Sequence, residues 1–209
     1  VNSVISSDTT WTLEGSPYII TKDLVINPGV TLTIEAGVVV KFAFKGWADW
    51  PREDKNKLRL IVNGTLRVQG TEANPVVFTS NRDAAYGGVT DGSGKPPQPG
   101  DWGHIVISSS SQNSHLQHCI IRYGGGRRVD DIYTMVFVGE PYPVIKVVNC
   151  VFEKSYDVAL YYKAPQEYSA SVEIRDNQFM GCPGGIRLIG NPSLTSGVIQ
   201  NNIISGGKT

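Results

Sequence analysis

An excess of charge of either sign is missing from this sequence. Nineteen basic and 19 acidic side chains cancel to a formal net charge of zero, and charged residues make up only 18% of the 209, against about 25% in soluble domains generally. That balance excludes the basic footprint of a nucleic-acid binder. Long apolar runs are absent too. No window approaches the roughly 18 uninterrupted apolar residues of a membrane helix, and no charged segment followed by an apolar one opens the chain as in a secretory leader. Cysteine is scarce: three thiols, Cys119, Cys150 and Cys182, are too few and odd in number for a disulfide framework. Methionine occurs only twice, and the residues that favour helices are under-used.

What is abundant is glycine (23), proline (12) and the strand and turn formers Val, Ile, Thr, Ser and Asn. This is the composition of strands and bends, so the fold class is all-β. At 40% hydrophobic, residues 1–209 suffice for one domain with a buried core.

Searching for internal repeats settles the arrangement of those strands. "LQHCIIRYGG" around Cys119, "VVNCVFEKS" around Cys150, "IRDNQFMGC" around Asn177 and "IQNNIISGG" around Asn202 share one template. Three residues before the reference position lie Leu116, Val147, Ile174 and Ile199, and two after it Ile121, Phe152, Phe179 and Ile204, all expected to face a core. Immediately before it come His118, Asn149, Asp176 and Asn201, the non-glycine types most enriched at positive φ, so a left-handed bend is expected there. The reference residue is small and is expected to stack on its own copies. The copies are 31, 27 and 25 residues apart.

A further strand precedes each copy ("GHIVIS", "TMVFVG", "VALYY", "GIRLIG"). In the N-terminal half "INPGVTLTI", "IEAGVVVKF" and "IVNGTLRVQ" place Ile26, Ile34 and Ile61 three residues before Gly29, Gly37 and Gly64. Like elements recur one repeat apart rather than as consecutive hairpins, so each strand pairs with its copy in the next coil. That is a single-stranded parallel β-helix, a solenoid of roughly seven to eight coils and about 35 Å in length at ~4.8 Å per coil.

Two stretches carry a family resemblance. "WTLEGSPYIITKDLVINPGVTLTIEAGVVVKF" (11–42) and "GDWGHIVISSSSQNSHLQHCIIRYGG" (100–125) resemble the coils of right-handed parallel β-helix proteins of the pectin-lyase-like type, found in many secreted and surface-anchored microbial proteins. The resemblance implies a right-handed helix and an extracellular or cell-surface location. It leaves function open, because that fold hosts lyases, hydrolases, epimerases, adhesins and structural domains.

Function on a solenoid sits where the repeat is interrupted. Three insertions qualify: 43–57, 81–101 and 124–133. The first two offer Trp47, Trp50 and Tyr86 as a stacking platform for sugar rings, the alternative being that they fold back over the solenoid. Asp83, Asp91 and Asp101 in the Gly/Asp-rich second insertion form a candidate calcium loop. In the third, Asp130 and Asp131 supply carboxylates, with Arg127 or Arg128 as the basic partner that a polysaccharide lyase uses. The acidic sets that mark polygalacturonases of this fold are lacking.

His115, His118 and Cys119 lack the four-ligand pattern of a zinc site. Cys119 and Cys150 are expected as two reduced, buried thiols one coil apart.

Residues 1–20 read as an N-terminal cap, whereas "VIQNNIISGGKT" stops within a repeat. The expectation is therefore a segment of a longer chain, or one that self-associates end to end. The leading expectation is a non-enzymatic extracellular scaffold or adhesion domain touching polysaccharide or another surface through its insertions. The alternatives are a polysaccharide lyase or glycoside hydrolase acting between insertions 81–101 and 124–133, and a filament or surface-layer subunit stacking through its C-terminal coil.

Overall fold

Leu116 lies opposite Val68 on one side and Val147 on the other, Val147 opposite Ile174, and Ile174 opposite Ile199, every pair parallel. Ile121, Phe152, Phe179 and Ile204 form a second such ladder. The repeat read from the sequence is thus the pairing unit of a parallel β-helix. A computed structural model describes residues 1–46, 56–108, 113–139, 144–163, 170–190 and 195–206.

Each coil has three strands, and they build three parallel sheets among the described residues. The first sheet runs through Val4–Ile5, Leu24–Ile26, Leu60–Val62, Ile105–Ile107, Ile132–Val138, Val158–Lys163 and Ile186–Ile189. The second begins with Thr9–Trp11, Thr31–Glu35 and Thr65–Gln69 and continues through Ser114–Gln117 to Thr195–Gln200. The third begins with Tyr18–Ile20, Val39–Phe42 and Val76–Ser80 and continues through Cys119–Arg122 to Ile203–Ser205. Alternation sends every second side chain inward, as in Leu60 and Val62 or Leu66 and Val68, and these merge into one continuous core. Flat rings stack along it: Phe42 on Trp102 at 4.1 Å and Phe152 on Phe179 at 4.7 Å.

The bend between the second and third sheets is where the sequence placed it. His118, Asn149, Asp176 and Asn201 all have φ between 44° and 58°. Inside that corner the Asn177 amide donates to Asn202 Oδ1 and to the Val147 carbonyl, each at 2.9 Å, while its own oxygen accepts from the Cys150 amide.

Two expectations need refinement. The glycine motifs are not one element: Gly29 and Gly64 lie between first- and second-sheet strands, Gly37 between second and third. Ile61 accordingly points outward between the buried Leu60 and Val62. Residues 1–20, read as a cap, supply the first strand of all three sheets, with Trp11 stacked on Tyr18 at 4.5 Å. At the other end Ile199 and Ile204, in the ladder positions of the buried Ile174 and Phe179, are 48% and 55% exposed.

Candidate functional site

All three insertions leave a third-sheet strand and return to a first-sheet strand, so they share one long corner of the solenoid. Trp47 and Trp50 lie outside the described residues. The second insertion folds back over the third sheet, which explains why Val39–Phe42 is buried on both faces, Lys41 included. Lys41 Nζ donates to the carbonyls of Asp83 (2.8 Å) and Gly88, pinning the start of the loop. Burial pushes the Lys41 ammonium below its ordinary pKa, against the attraction of Asp83 and Asp91.

Asp83 and Asp101 begin and end this loop, and each is engaged internally. Asp83 accepts from Thr79 Oγ1 at 2.7 Å and lies 3.6 Å from Arg122, which also pairs with Glu153 at 3.2 Å. Asp101 accepts from Ser80 Oγ at 2.7 Å and from Arg82 at 3.0 Å, and Arg82 stacks on Phe44. Burial pushes the Asp101 carboxyl above the usual range, with Ser80 and Arg82 pulling the other way. Asp91 accepts from Ser93 instead. The three candidate calcium ligands therefore have separate partners, and no group of three or more His, Cys, Asp or Glu is placed to hold a metal among the described residues. Tyr86, half-buried, lies against Arg122, whose guanidinium is 5.5 Å from its ring and 4.7 Å from that of Tyr123.

The third insertion is a hairpin. Arg128 and Val129 pair antiparallel with Tyr133 and Ile132. Asp130 and Asp131, at φ 49° and 64°, are its two turn residues, both in the left-handed region that a type I′ turn requires. Of the four candidate catalytic side chains, Arg128 and Asp131 pair with each other and the other two turn to different partners. Arg127 reaches toward Asp23 (4.0 Å), Arg128 pairs with Asp131 (3.8 Å), and Asp130 accepts from Lys163 (2.7 Å).

The preceding triple glycine welds this loop to the second insertion. Gly126 donates to the Trp102 carbonyl at 2.8 Å, and a Cβ there would lie 2.2 Å from the Gly100 oxygen. A Cβ on Gly124 would meet the Trp102 ring at 2.7 Å. Close approach, which only glycine permits, accounts for both positions.

One charged group escaped the sequence reading. Asp23, Arg59 and His104 each immediately precede a first-sheet strand, and since Leu24, Leu60 and Ile105 are register partners, the three stack one coil apart. Asp23 accepts from the Arg59 backbone at 2.9 Å and from its guanidinium at 2.9 and 2.6 Å. His104 is 1% exposed, with Nδ1 3.3 Å from the Arg127 carbonyl. Burial lowers its pKa to about 4, opposed by that carbonyl contact and reinforced by Arg59 and Arg127, so the imidazole is neutral at pH 7. The signal in the sequence is the strand alignment of "KDLVI", "LRLIV" and "GHIVI", which puts Asp23, Arg59 and His104 in one column.

His115, His118 and Cys119 part company as well. His115 lies in the second sheet between Arg67 and Lys146, His118 sits on the bend with Nε2 3.4 Å from Asn149 Nδ2, and Cys119 points inward to Cys150.

Comparison with known proteins gives one match. A family described as pectate-lyase like beta helix domain matches residues 3–138. No curated protein and no solved structure matches.

Proposed function

The chain belongs to the pectate-lyase-like β-helix domain family, and we propose that it works as a rigid, non-catalytic extracellular scaffold that touches polysaccharide or another surface through the loops of its long corner. One observation carries this reading. Among the described residues, the candidate side chains of the second and third insertions turn to different partners: Asp101 to Arg82, Asp83 to Arg122, Asp130 to Lys163 and Arg127 toward Asp23, while Arg128 and Asp131 pair with each other in solvent. A lyase or hydrolase needs its acid and base to converge on a substrate bond, and these side chains turn toward separate partners. The family fold is compatible with either role. Half-buried Tyr86 beside Arg122, and the exposed Lys154 over the buried ring of Tyr123, are the aromatic and cationic groups available to a sugar there.

The competing reading is a polysaccharide lyase or glycoside hydrolase acting where loops 81–101 and 124–133 meet. It draws support from Arg127 and Asp23, whose partly exposed side chains lie 4.0 Å apart. A glycan array run in parallel with turnover assays on uronic-acid polymers separates the two. Retention of a glycan without release of unsaturated or reducing ends is expected; sustained turnover that is lost in Arg127→Ala overturns the scaffold reading.

A further inference from the structure

In the corner between the second and third sheets, Cys119 and Cys150 put thiols at the position where the next two coils have the amides of Asn177 and Asn202. Cys119 opens the strand Cys119–Arg122 and Cys150 directly precedes Val151–Glu153; Ile120 is the register partner of Val151, so the cysteines face each other one residue earlier. Adjacent strands lie about 4.8 Å apart, within the Cα separations of roughly 4.4–6.8 Å that a disulfide spans. The two Sγ atoms are 3.1 Å apart and both residues are 1% exposed. In the next two coils the same position holds Asn177 and Asn202, joined by an amide hydrogen bond. A thiol pair is a weaker rung, since S–H is a poor donor. A groove of about 460 Å³ runs along the outside of this corner and has both cysteines in its wall, together with Pro75, His118, Asn149 and Asp176.

We propose that Cys119 and Cys150 form a redox modification site, which a low-molecular-weight disulfide converts into an intrachain disulfide clasping one coil to the next when local opening of this corner brings the inward-facing thiols to the groove. One cysteine thiolate attacks a sulfur of the oxidant, forming a mixed disulfide and expelling the first thiolate. The second cysteine, after losing its proton, attacks the protein sulfur of that mixed disulfide and expels the second. The two cysteine sulfurs are oxidised, the oxidant is reduced to two thiols, and the two cysteine protons end on them. Burial and the neighbouring Cys150 hold the Cys119 thiol well above its ordinary pKa. Thiolate is the attacking species, so closure is slow at neutral pH and accelerates as pH rises. The ring closed spans 31 residues, and a loop of that size corresponds to a thermal midpoint raised by about 10 °C in a chain of this length.

The test incubates the folded chain with oxidised glutathione, then unfolds it, alkylates it and maps the peptides. The expected product has lost two hydrogens, carries a Cys119–Cys150 linked peptide, leaves Cys182 alkylated and melts about 10 °C higher. In Cys150→Ser neither the link nor the rise occurs. If that variant does not fold, Cys182→Ser, which keeps the pair, must still give the link. Full alkylation of both cysteines after oxidation, a glutathione adduct that never resolves, or a link involving Cys182 overturns the proposal.

Discussion

The two corners flanking the third sheet solve the same problem in opposite ways. Between the second and third sheets, from the fourth coil onward, the chain turns through a single left-handed residue, and the interior is held by a ladder of like groups one coil apart. Between the third and first sheets it wanders through loops as long as 81–104, held by ion pairs and by loop-to-loop backbone bonds. A solenoid needs uniform strand spacing, and one strict corner is enough to impose it. The other is then free to vary, and the buried charge of the molecule has collected there. The strict corner is therefore expected to fail by losing hydrogen bonds, the loose one by leaving charges without partners.

Breaking the loose corner gives the largest effects. Asp101→Ala leaves Arg82, 5% exposed, without its carboxylate, and an uncompensated buried charge costs about 3–5 kcal/mol. Urea titration is expected to show that loss, and Asp101→Asn to recover only part of it. Acid attacks the same corner through His104. Its folded pKa of about 4 lies below the unfolded value of 6.5, so below pH 6.5 the unfolded chain takes up a proton that the native chain refuses. The stability from a neutral His104 is thus complete above about pH 6.5 and declines as pH falls toward 4, by about 3 kcal/mol in all. Urea midpoints measured from pH 7 to pH 4 should show that decline in the parent chain and a shallower one in His104→Gln.

Breaking the strict corner gives intermediate effects. Asn177→Ala removes the acceptor of the buried Cys150 amide and the donor to Val147 and Asn202. The expected loss is about 2–3 kcal/mol by urea titration, the cost of stranding buried polar groups. His118→Val puts a β-branched residue at φ 44° and should cost about 1–2 kcal/mol, while His118→Asn should be nearly neutral. A His118→Val variant as stable as the parent would mean that the left-handed bend is not what fixes this corner.

The strict corner was legible in the sequence because its constraints are local and recur: His118, Asn149, Asp176 and Asn201 announce a bend by residue type, and Leu116 to Ile199 announce a core by spacing. The loose corner was legible only as an interruption. Nothing near Lys41 indicates that it lies under the carbonyls of Asp83 and Gly88, more than forty residues on. The glycines that open insertion 124–133 gave no sign of their role, because the contact that requires them, Gly126 against Gly100, joins two loops whose pairing no periodicity records. Asp23, Arg59 and His104 did carry a readable signal, but it required aligning first-sheet strands across insertions of unequal length.

The smallest expected effect bears most directly on what the loose corner does. Asp131 is 98% exposed at the side chain, pairs with Arg128 at 3.8 Å and sits at φ 64° in the hairpin turn. Its ion pair is worth close to nothing in water, and glycine adopts that φ without strain. Asp131→Gly is therefore expected to leave the thermal midpoint where it is, within about 0.5 kcal/mol or slightly above the parent. If the Asp-Asp pair is there for the turn, the variant also keeps whatever glycan retention the parent shows. If the carboxylate is there for chemistry, retention or turnover collapses at unchanged stability. Because folding cannot account for a change in the second measurement without one in the first, the variant tells a loop shaped by backbone geometry from a loop shaped by a ligand.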